Sequence, residues 1–217
     1  MYGSIRTAPV AAALVLVAAG AACCYPTSLN YVPTAETLGA GNALLEFTNY
    51  GYTAIFSAES TTGFLSQFAL GDCLEFGADK YETEDSSETY FNVKLRVTAE
   101  KGRRPALAFG LMDISRLGPP TSYFVASKSI GSIRTHVGFL RGSYSHGTML
   151  GIDADLSDAL WFSADYLPGE SNHLRLGISH SLGSDTWVQL SFGMPNSRDA
   201  GASELALTFS TTISLLK

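Results

Sequence analysis

One histidine, two aspartates and several serines in the second half of the chain are the residues that could carry out a reaction. His136 could act as a base beside Asp153 or Asp165, with Ser163 or Ser179 as the nucleophile, as in barrel enzymes that hydrolyse lipids. Neither serine lies in the G-x-S-x-G turn that presents the nucleophile of many hydrolases. Hydrogen-bonded histidines and acids also form structural networks in barrel interiors. The sequence therefore predicts no catalytic residue and no enzyme, and a lipid-modifying barrel enzyme is the alternative.

The candidate metal ligands are too scattered to form a recognisable site. His136, His146, His173 and His180 form no H-x-x-x-H or H-E-x-x-H pair, and Cys73 is far from the other cysteines. No glycine-rich loop is followed by Lys-Ser or Lys-Thr, the pattern of a phosphate cradle. The 14 basic and 20 acidic residues give a net charge of −6 without a basic stripe. We therefore predict no metal, no cofactor and no nucleic-acid partner.

The elements that carry these residues are predicted to be β-strands, because apolar and polar side chains alternate along most of the chain. Residues 90–98 show the cleanest alternation. Residues 105–128 predict two strands joined by a Gly-Pro-Pro turn, and residues 64–80 predict a hairpin that turns at Gly71 and Asp72. Such runs recur about twelve times, at the spacing typical of an all-β protein.

The composition of the polar faces distinguishes a membrane barrel from a soluble one. A soluble sandwich presents long charged side chains to water, whereas these faces are rich in Gly, Ala and Ser. The opposite faces are aliphatic and aromatic, and several runs reach the roughly nine to eleven residues of a membrane-crossing strand. We therefore predict a single closed antiparallel up-and-down transmembrane β-barrel of about 12 strands (roughly 10 to 14). A secreted soluble barrel or sandwich that binds a ligand is the alternative.

Charged side chains of both signs are predicted to face the barrel lumen as a network. The predicted set is Glu75, Lys94, Arg96, Lys128, Arg134, Asp153, Asp165 and Arg175. Because both signs are present, pairing across the lumen is favoured over a selectivity ring of one sign. A barrel of about 12 strands is narrow, so a few long side chains could block it. We expect little ion conductance, and a gain when Arg96 and Arg134 are both replaced by Ala.

Aromatic side chains near the ends of the predicted strands are expected to form girdles at the two membrane interfaces. This set is Tyr50, Tyr52, Tyr123, Tyr144, Tyr166 and Trp187. A second hypothesis gives Trp161 and Trp187 a different role, in which they stack on a bound sugar. Membrane anchoring is the commoner role of aromatic residues at strand ends.

The beginning of the chain has the pattern of an export signal. Arg6 precedes an apolar run at residues 11–19, and small residues follow it. Cys23 comes directly after these small residues, which indicates lipidation of Cys23 as an alternative to ordinary signal-peptidase cleavage. The predicted divisions are a signal peptide (1–22), an extended lead-in (23–40) and an outer-membrane barrel domain (41–217).

A resemblance to a known family extends over most of the mature chain. Six segments follow one another in the order VPTAETLGAG, LGDCLEFG, PALAFGLMDI, YFVASK, GIDADLSDALWFSADY and NHLRLGI. Together they resemble the YjbH-like group of bacterial outer-membrane β-barrel proteins, some of which are linked to exopolysaccharide production. The resemblance implies a small closed barrel without an established enzymatic site. The sequence departs from many outer-membrane barrels in ending Ser-Leu-Leu-Lys217 rather than in the aromatic residue that the assembly machinery reads, and Phe209 is the nearest candidate. The outer-membrane assembly machinery is an expected partner.

The sequence therefore predicts a non-enzymatic protein of the bacterial outer membrane with a structural or transport-related role. Export of envelope polysaccharide is the finer expectation. Outer-membrane lipid, polysaccharide and envelope proteins are the expected partners.

Overall fold

Twelve antiparallel strands form one closed sheet in a computed structural model that describes residues 27–52, 54–115, 118–142, 145–170, 172–183, 185–197 and 202–215. Each strand pairs with its neighbour in sequence, and β1 pairs with β12 to close the barrel. No helix in these ranges is long and apolar enough to cross a membrane. The strands are β1 (Asn42–Gly51), β2 (Thr61–Leu70), β3 (Leu74–Glu82), β4 (Ser87–Thr98), β5 (Ala106–Ile114), β6 (Thr121–Ile130), β7 (Ile133–Arg141), β8 (His146–Ser157), β9 (Leu160–Tyr166), β10 (His173–Gly183), β11 (Thr186–Pro195) and β12 (Glu204–Ser214). The predicted fold class is confirmed.

The exterior of the barrel is apolar around its circumference. Leu95, Leu176 and Leu190 are 48%, 40% and 55% exposed, as expected of side chains that point away from the lumen. Further outward apolar residues are Phe76, Phe91, Phe109, Val137, Phe139, Leu150, Ile152, Ile178 and Phe192. A closed barrel with this exterior is suited to lipid rather than water, because the backbone polar groups are paired and the outward side chains are apolar. The chain is therefore a barrel of the bacterial outer membrane.

The two ends of the barrel differ in the length of their connections. At the end where β1 begins and β12 ends, called the terminal end, most turns are short, as at residues 71–73, 131–132 and 158–159, and one longer connection spans residues 99–105. At the opposite end the connections include residues 52–60 and 196–203. Bacterial outer-membrane barrels have short periplasmic turns and longer extracellular loops. This rule assigns the terminal end to the periplasm.

The segment before β1 folds back into the lumen. Residues 27–40, called the plug hairpin, reverse direction with an antiparallel bridge between Ser28 and Pro33. Val32 has no exposed surface. The sequence predicted only an extended lead-in at residues 23–40, without a position inside the barrel. The lumen is therefore filled in part by the chain's own N-terminal segment.

The plug hairpin packs against an apolar part of the lumen wall. Val32 and Ala35 of the hairpin join a buried cluster whose wall residues come from β5, β6, β7 and β8. These wall residues are Ala106, Ala108, Met112, Tyr123, Val125, Leu140 and Met149. The sequence predicted a polar lumen, and this half of it is apolar because the hairpin, rather than water, covers it.

Small residues on the inward faces make room for the plug hairpin. A Cβ atom at Gly151 would lie 2.5 Å from Leu29 Cδ1, and one at Gly177 would lie 2.2 Å from Asn30 Oδ1. Both distances are far below van der Waals contact, so a side chain at either position would force the side chain of Leu29 or Asn30 to move. The Gly-rich inward faces are therefore explained by the plug hairpin as well as by the narrow barrel.

Two predictions about aromatic residues are wrong, and several predicted features lie outside the residues that the structure describes. Tyr123 is 4% exposed in the lumen cluster, and Trp187 lines a lumen cavity. Both were predicted to lie in interfacial girdles, which is wrong because they lie on inward faces. Tyr52 is 54% exposed at the loop end, as a girdle residue would be. Tyr144, the predicted signal peptide and its neighbour Cys23 lie outside the described residues.

Candidate functional site

Asp165 on β9 holds the tip of the plug hairpin. Its Oδ2 atom accepts hydrogen bonds from the backbone N–H groups of Asn30 (3.0 Å), Tyr31 (2.7 Å) and Val32 (2.8 Å). Its Oδ1 atom accepts a further bond from the Asn30 side-chain amide at 3.2 Å. Asp165 is 3% exposed, so these donors replace water around the carboxylate. We call Asp165 and the three N–H groups the latch.

A buried ion pair holds both arms of the plug hairpin near the terminal end. Lys94 Nζ lies 2.8 Å from Glu75 Oε2, and both side chains are at most 1% exposed. Glu75 Oε1 also accepts hydrogen bonds from the Thr27 hydroxyl at 2.7 Å and the Leu38 N–H at 2.5 Å. The pair joins neighbouring strands, β3 and β4, rather than opposite walls of the lumen. Besides joining these two strands, the pair anchors the hairpin through the bonds that Glu75 accepts from Thr27 and Leu38.

Arg175 on β10 contacts the plug hairpin through an aromatic ring. Its guanidinium carbon lies 3.7 Å from the centre of the Tyr31 ring, a cation–π contact. The same side chain donates a hydrogen bond to Glu204 across β11. Gly193 lies between them in the register, and a Cβ atom there would be 3.0 Å from Arg175 Nη1. Glu204 was missing from the predicted charge set, although its alternation with Leu205 placed it on the inward face.

Ser127, His136 and Asp153 form a hydrogen-bonded chain inside the barrel. Ser127 Oγ lies 2.7 Å from His136 Nδ1, and His136 Nε2 lies 2.6 Å from Asp153 Oδ1. Trp161 Nε1 donates to Asp153 Oδ2 at 3.0 Å. The backbone N–H of Ala35 donates to Ser127 Oγ at 2.8 Å. The predicted His136 and Asp153 pair is thus present, and its serine is one that sequence reasoning did not select.

This chain of side chains supports the plug hairpin better than it supports catalysis. A nucleophilic serine must be open to a substrate carbonyl, yet Ser127 has no exposed surface and faces the hairpin backbone. The sequence proposed Ser163 or Ser179 as the nucleophile. Neither is hydrogen-bonded to His136, whose two ring nitrogens are taken by Ser127 and Asp153. Ser163 instead donates to the Asn30 side chain at 3.3 Å.

The remaining predicted lumen charges divide between the two faces. Arg134 donates a hydrogen bond to Glu36 of the plug hairpin. Arg96 is half-buried, on the inward face of β4 with Lys94. The prediction that Lys128 faces the lumen is wrong, because Lys128 shares the outward face of β6 with Phe124. There it pairs with Glu100 and donates to the Gly102 carbonyl at 2.8 Å, at the end of the strand.

Metal ligands do not gather anywhere in the part of the chain that the structure describes. No group of three or more His, Cys, Asp or Glu side chains there could hold a metal ion. The fully buried charges instead have protein partners, as the latch and the Glu75–Lys94 pair illustrate.

A gap lined by both polar and apolar side chains remains between the plug hairpin and one side of the wall. At the terminal end it widens into a cavity of about 350 Å³ between the hairpin and strands β1 and β8 to β12. A smaller cavity of about 40 Å³ continues from it toward Tyr31. Both cavities are lined by Glu46, Gln189 and Thr208, so they adjoin along the same wall. The two cavities therefore extend beside the hairpin from the terminal end to the level of Tyr31.

Comparison with solved structures finds the same barrel architecture in porins. The chain is similar to a KdgM porin at 9% identity, with 77% of this chain and 98% of the porin covered and a TM-score of 0.60. A KdgM porin in complex with disordered oligogalacturonate is similar at 7% identity over the same shares, with a TM-score of 0.57. At these identities the similarity shows a shared fold. No family model and no curated protein matches the chain.

Outer membrane phospholipase A from Escherichia coli is a more distant neighbour. It is 14% identical, with 82% of this chain and 91% of the phospholipase covered, and its TM-score is 0.46. A similarity at this level gives no support to an enzymatic role.

Proposed function

We propose that the protein is a non-enzymatic, transport-related barrel whose passage is closed by its own plug hairpin. The observation that carries the proposal is the latch, in which a buried carboxylate on the wall binds three successive N–H groups of the hairpin. A barrel that served only as a rigid wall could fill its lumen with side chains of its own strands. Here a separate segment is attached through polar groups as well as through Val32 and Ala35, and the polar groups can exchange their hydrogen bonds for water or solute.

The position of the polar contacts supports a closed state that can open. Asp165 holds the tip of the hairpin, and the Glu75–Lys94 pair holds its two arms. Ser127 holds one flank. The adjoining cavities on the opposite flank leave only a narrow passage along the wall. Displacement of the hairpin tip from the latch would widen this passage. The chain would then conduct solute between the two ends of the barrel.

We further propose envelope polysaccharide as the class of solute and membership of the YjbH-like group, as the sequence resemblance implies. The hydrogen-bonding groups along the cavities, among them Gln189, Thr208 and Ser210, support a hydrophilic solute of this kind. The KdgM porin complex adds an example of a barrel protein of this fold with a bound saccharide, oligogalacturonate.

Planar bilayer recordings test the transport role. Wild-type protein should give little current, whereas Asp165→Asn should give steady single-channel currents, because the neutral amide loses the charge that strengthens the three backbone N–H bonds and keeps only one acceptor oxygen for donors that now use two. Asp79→Asn is the matched control: Asp79 is also a buried inward carboxylate, but it is bonded to Asn92 rather than to the hairpin. It should remain as closed as the wild type. Heat-modifiable migration in detergent would verify that all variants form barrels.

Two outcomes would overturn the proposal. Large steady currents from the wild type would show an open pore rather than a closed one. If neither Asp165→Asn nor deletion of residues 27–40 raised the conductance of correctly folded protein, the hairpin would not be the closure.

A further inference from the structure

The larger cavity is lined by side chains from a continuous arc of neighbouring strands. Across the registers of β8 to β11, Asp155 faces Trp161, Trp161 faces Ser179 and Ser179 faces Gln189. Trp187, one step along β11, faces Ser210 on β12. Alternation directs these residues inward, and each of them lines the cavity. Two indole rings and several hydrogen-bonding groups are therefore gathered at one end of the lumen.

The cavity combines the two kinds of contact that a sugar ring needs. A pyranose ring has an apolar C–H face that packs on an aromatic face, and hydroxyl groups around its edge that need donors and acceptors. The indoles of Trp161 and Trp187 offer the first, and Gln189, Ser179 and Ser210 offer the second. Trp161 is fixed by the bond from its Nε1 atom to Asp153, so its ring is oriented before any ligand arrives. The volume of about 350 Å³ falls in the range of roughly 300–1,000 Å³ typical of small-molecule sites.

The charge of the lining selects among sugars. Glu46 and Asp155 line the cavity, and no Lys or Arg is found among its described lining residues. An anionic sugar would be brought close to these carboxylates, of which Asp155 is exposed, and would be repelled by their charge. An uncharged sugar would meet the same carboxylates as hydrogen-bond acceptors.

We propose that this cavity is a binding site for uncharged oligosaccharide at the periplasmic mouth of the barrel. The inference rests on the proposed transport role in treating the sugar as a transported solute, and it names that solute's class. Sugar enters at the terminal end, stacks on Trp161 and Trp187, and meets the plug hairpin through Ser28 and Leu29, which also line the cavity.

Intrinsic fluorescence tests the site directly, because the sequence contains only two tryptophans and both line the cavity. The protein is held in a detergent without a sugar head group and titrated with maltotriose, cellotriose, chitotriose and trigalacturonate. At least one of the three uncharged trisaccharides should change the emission saturably. Trigalacturonate should bind at least about tenfold more weakly, a difference of about 1.4 kcal/mol.

Substitutions locate the binding within the barrel. Trp187→Ala should weaken the uncharged ligand about tenfold or more, read from the remaining Trp161. Phe192→Ala is the matched control, since Phe192 lies on the same strand but faces outward, and it should bind like the wild type. Asp155→Asn should reduce the disadvantage of trigalacturonate.

The inference is overturned if none of the uncharged sugars gives a saturable change in folded protein, if trigalacturonate binds better, or if Trp187→Ala binds normally. Its failure is distinguishable from failure of the transport role, because that role is read from conductance without sugar. If Asp165→Asn conducted and the wild type did not, but no sugar bound, the barrel would transport another solute and the sugar site would be refuted.

Discussion

Buried carboxylates determine how the plug hairpin is held in the lumen. An ionised carboxylate removed from water is strongly destabilised unless donors or cations replace its hydration. Glu75 has one cation and several donors, whereas Asp165 relies chiefly on backbone N–H groups of the hairpin. Loss of the hairpin would therefore leave Asp165 without these donors until water replaced them. We expect Asp165→Asn to destabilise the closed state by about 3 kcal/mol, the upper value for bonds to a charged group.

The glycine next to the hairpin tip provides a steric test. Gly177→Ala would place a Cβ atom 2.2 Å from Asn30 Oδ1 and 2.8 Å from Ser163 Oγ, so Asn30 must move. We expect a loss of about 1–3 kcal/mol in the free energy of unfolding, measured by urea denaturation in lipid vesicles, with increased conductance. Gly183→Ala on the same strand is the control, because nothing lies within 4 Å of a Cβ atom there. Equal effects of the two substitutions would contradict the packing described for Asn30.

Glu100 lies in the turn after β4, at the periplasmic end of the barrel. Its carboxyl group is expected to make the free energy of unfolding depend on pH. The hydrogen bond from Lys128 lowers the pKa of the Glu100 carboxyl, and bonds from Ser129 act in the same direction. A lowered folded-state pKa means stabilisation above the unfolded value of about 4.3, lost as the pH falls through the folded value. Glu100→Gln should therefore be less stable than wild type at pH 7, and the difference should vanish at the acid end. Vesicle denaturation series at several pH values would measure this, and a difference that grew toward low pH would refute it.

At the scale of strands, the period of two makes the face of each residue predictable from sequence. Leu176 is 40% exposed on the exterior, and Ser179 on the same strand is 5% exposed and lines the cavity. Leu176→Arg should cost about 2–4 kcal/mol, because a charge near the middle of the lipid face loses its hydration. Ser179→Arg should cost less, since its side chain can extend into the cavity, where Asp155 and Gln189 can accept hydrogen bonds from it. Equal tolerance in a folding titration would contradict the assigned faces.

The prediction that Lys128 faces the lumen followed the charge of its side chain rather than its face of the strand, and it was wrong. Its alternation with Ser127 and its shared face with Phe124 were both visible in the sequence, and they place it outside. Its charge suggested the lumen instead. A lysine at the end of a membrane strand can reach polar groups at the interface, and Glu100 and Gly102 supply them here. The face of the strand was therefore a better guide than the charge.

The plug hairpin could not be predicted from the sequence for a different reason. Strand alternation is a local property, whereas the contacts of the hairpin join residues as far as 135 positions apart, from Asn30 to Asp165. Residues 27–40 have no periodicity of their own that would indicate a partner. Only two features of the sequence pointed indirectly to the hairpin: the glycines on the inward faces, and the inward carboxylates without an evident basic partner. They were explained equally well by a narrow barrel with paired side chains, which was the interpretation that the sequence favoured.

At the scale of the whole molecule, the hairpin divides the lumen into two unlike halves. On one side Val32 and Ala35 pack on the apolar wall of β5 to β8, and on the other side cavities with both polar and apolar lining separate the hairpin from the wall. Arg134, which sequence reasoning treated as a blocking side chain, is bonded to Glu36 of the hairpin. The expected gain in conductance on replacing Arg96 and Arg134 together would then come in part from a loosened hairpin. This expectation stays a prediction.

A reversible cross-link between hairpin and wall tests whether opening requires the hairpin to move. Leu29→Cys removes the Cδ1 atom that lies 2.5 Å from the Cβ position of Gly151, so a Cys at position 151 gains room there. Because the side chain of residue 29 reaches this wall position, we expect the two cysteines to form a disulfide, which needs Cβ atoms roughly 3.8 Å apart. In a background of Asp165→Asn and Cys73→Ser, oxidation of Leu29→Cys/Gly151→Cys should abolish the current and reduction should restore it.

The matched control places the same cross-link where it cannot hold the hairpin. Val137 and Leu150 are partners in the β7–β8 register and both face lipid, so Val137→Cys/Leu150→Cys joins two wall strands only. Its current should not respond to oxidation or reduction. If the hairpin cross-link formed, as mass spectrometry would show, and the Asp165→Asn current persisted, solute would pass beside a fixed hairpin. Closure would then lie at the narrow contact between the two cavities, where Glu46 and Gln189 line both.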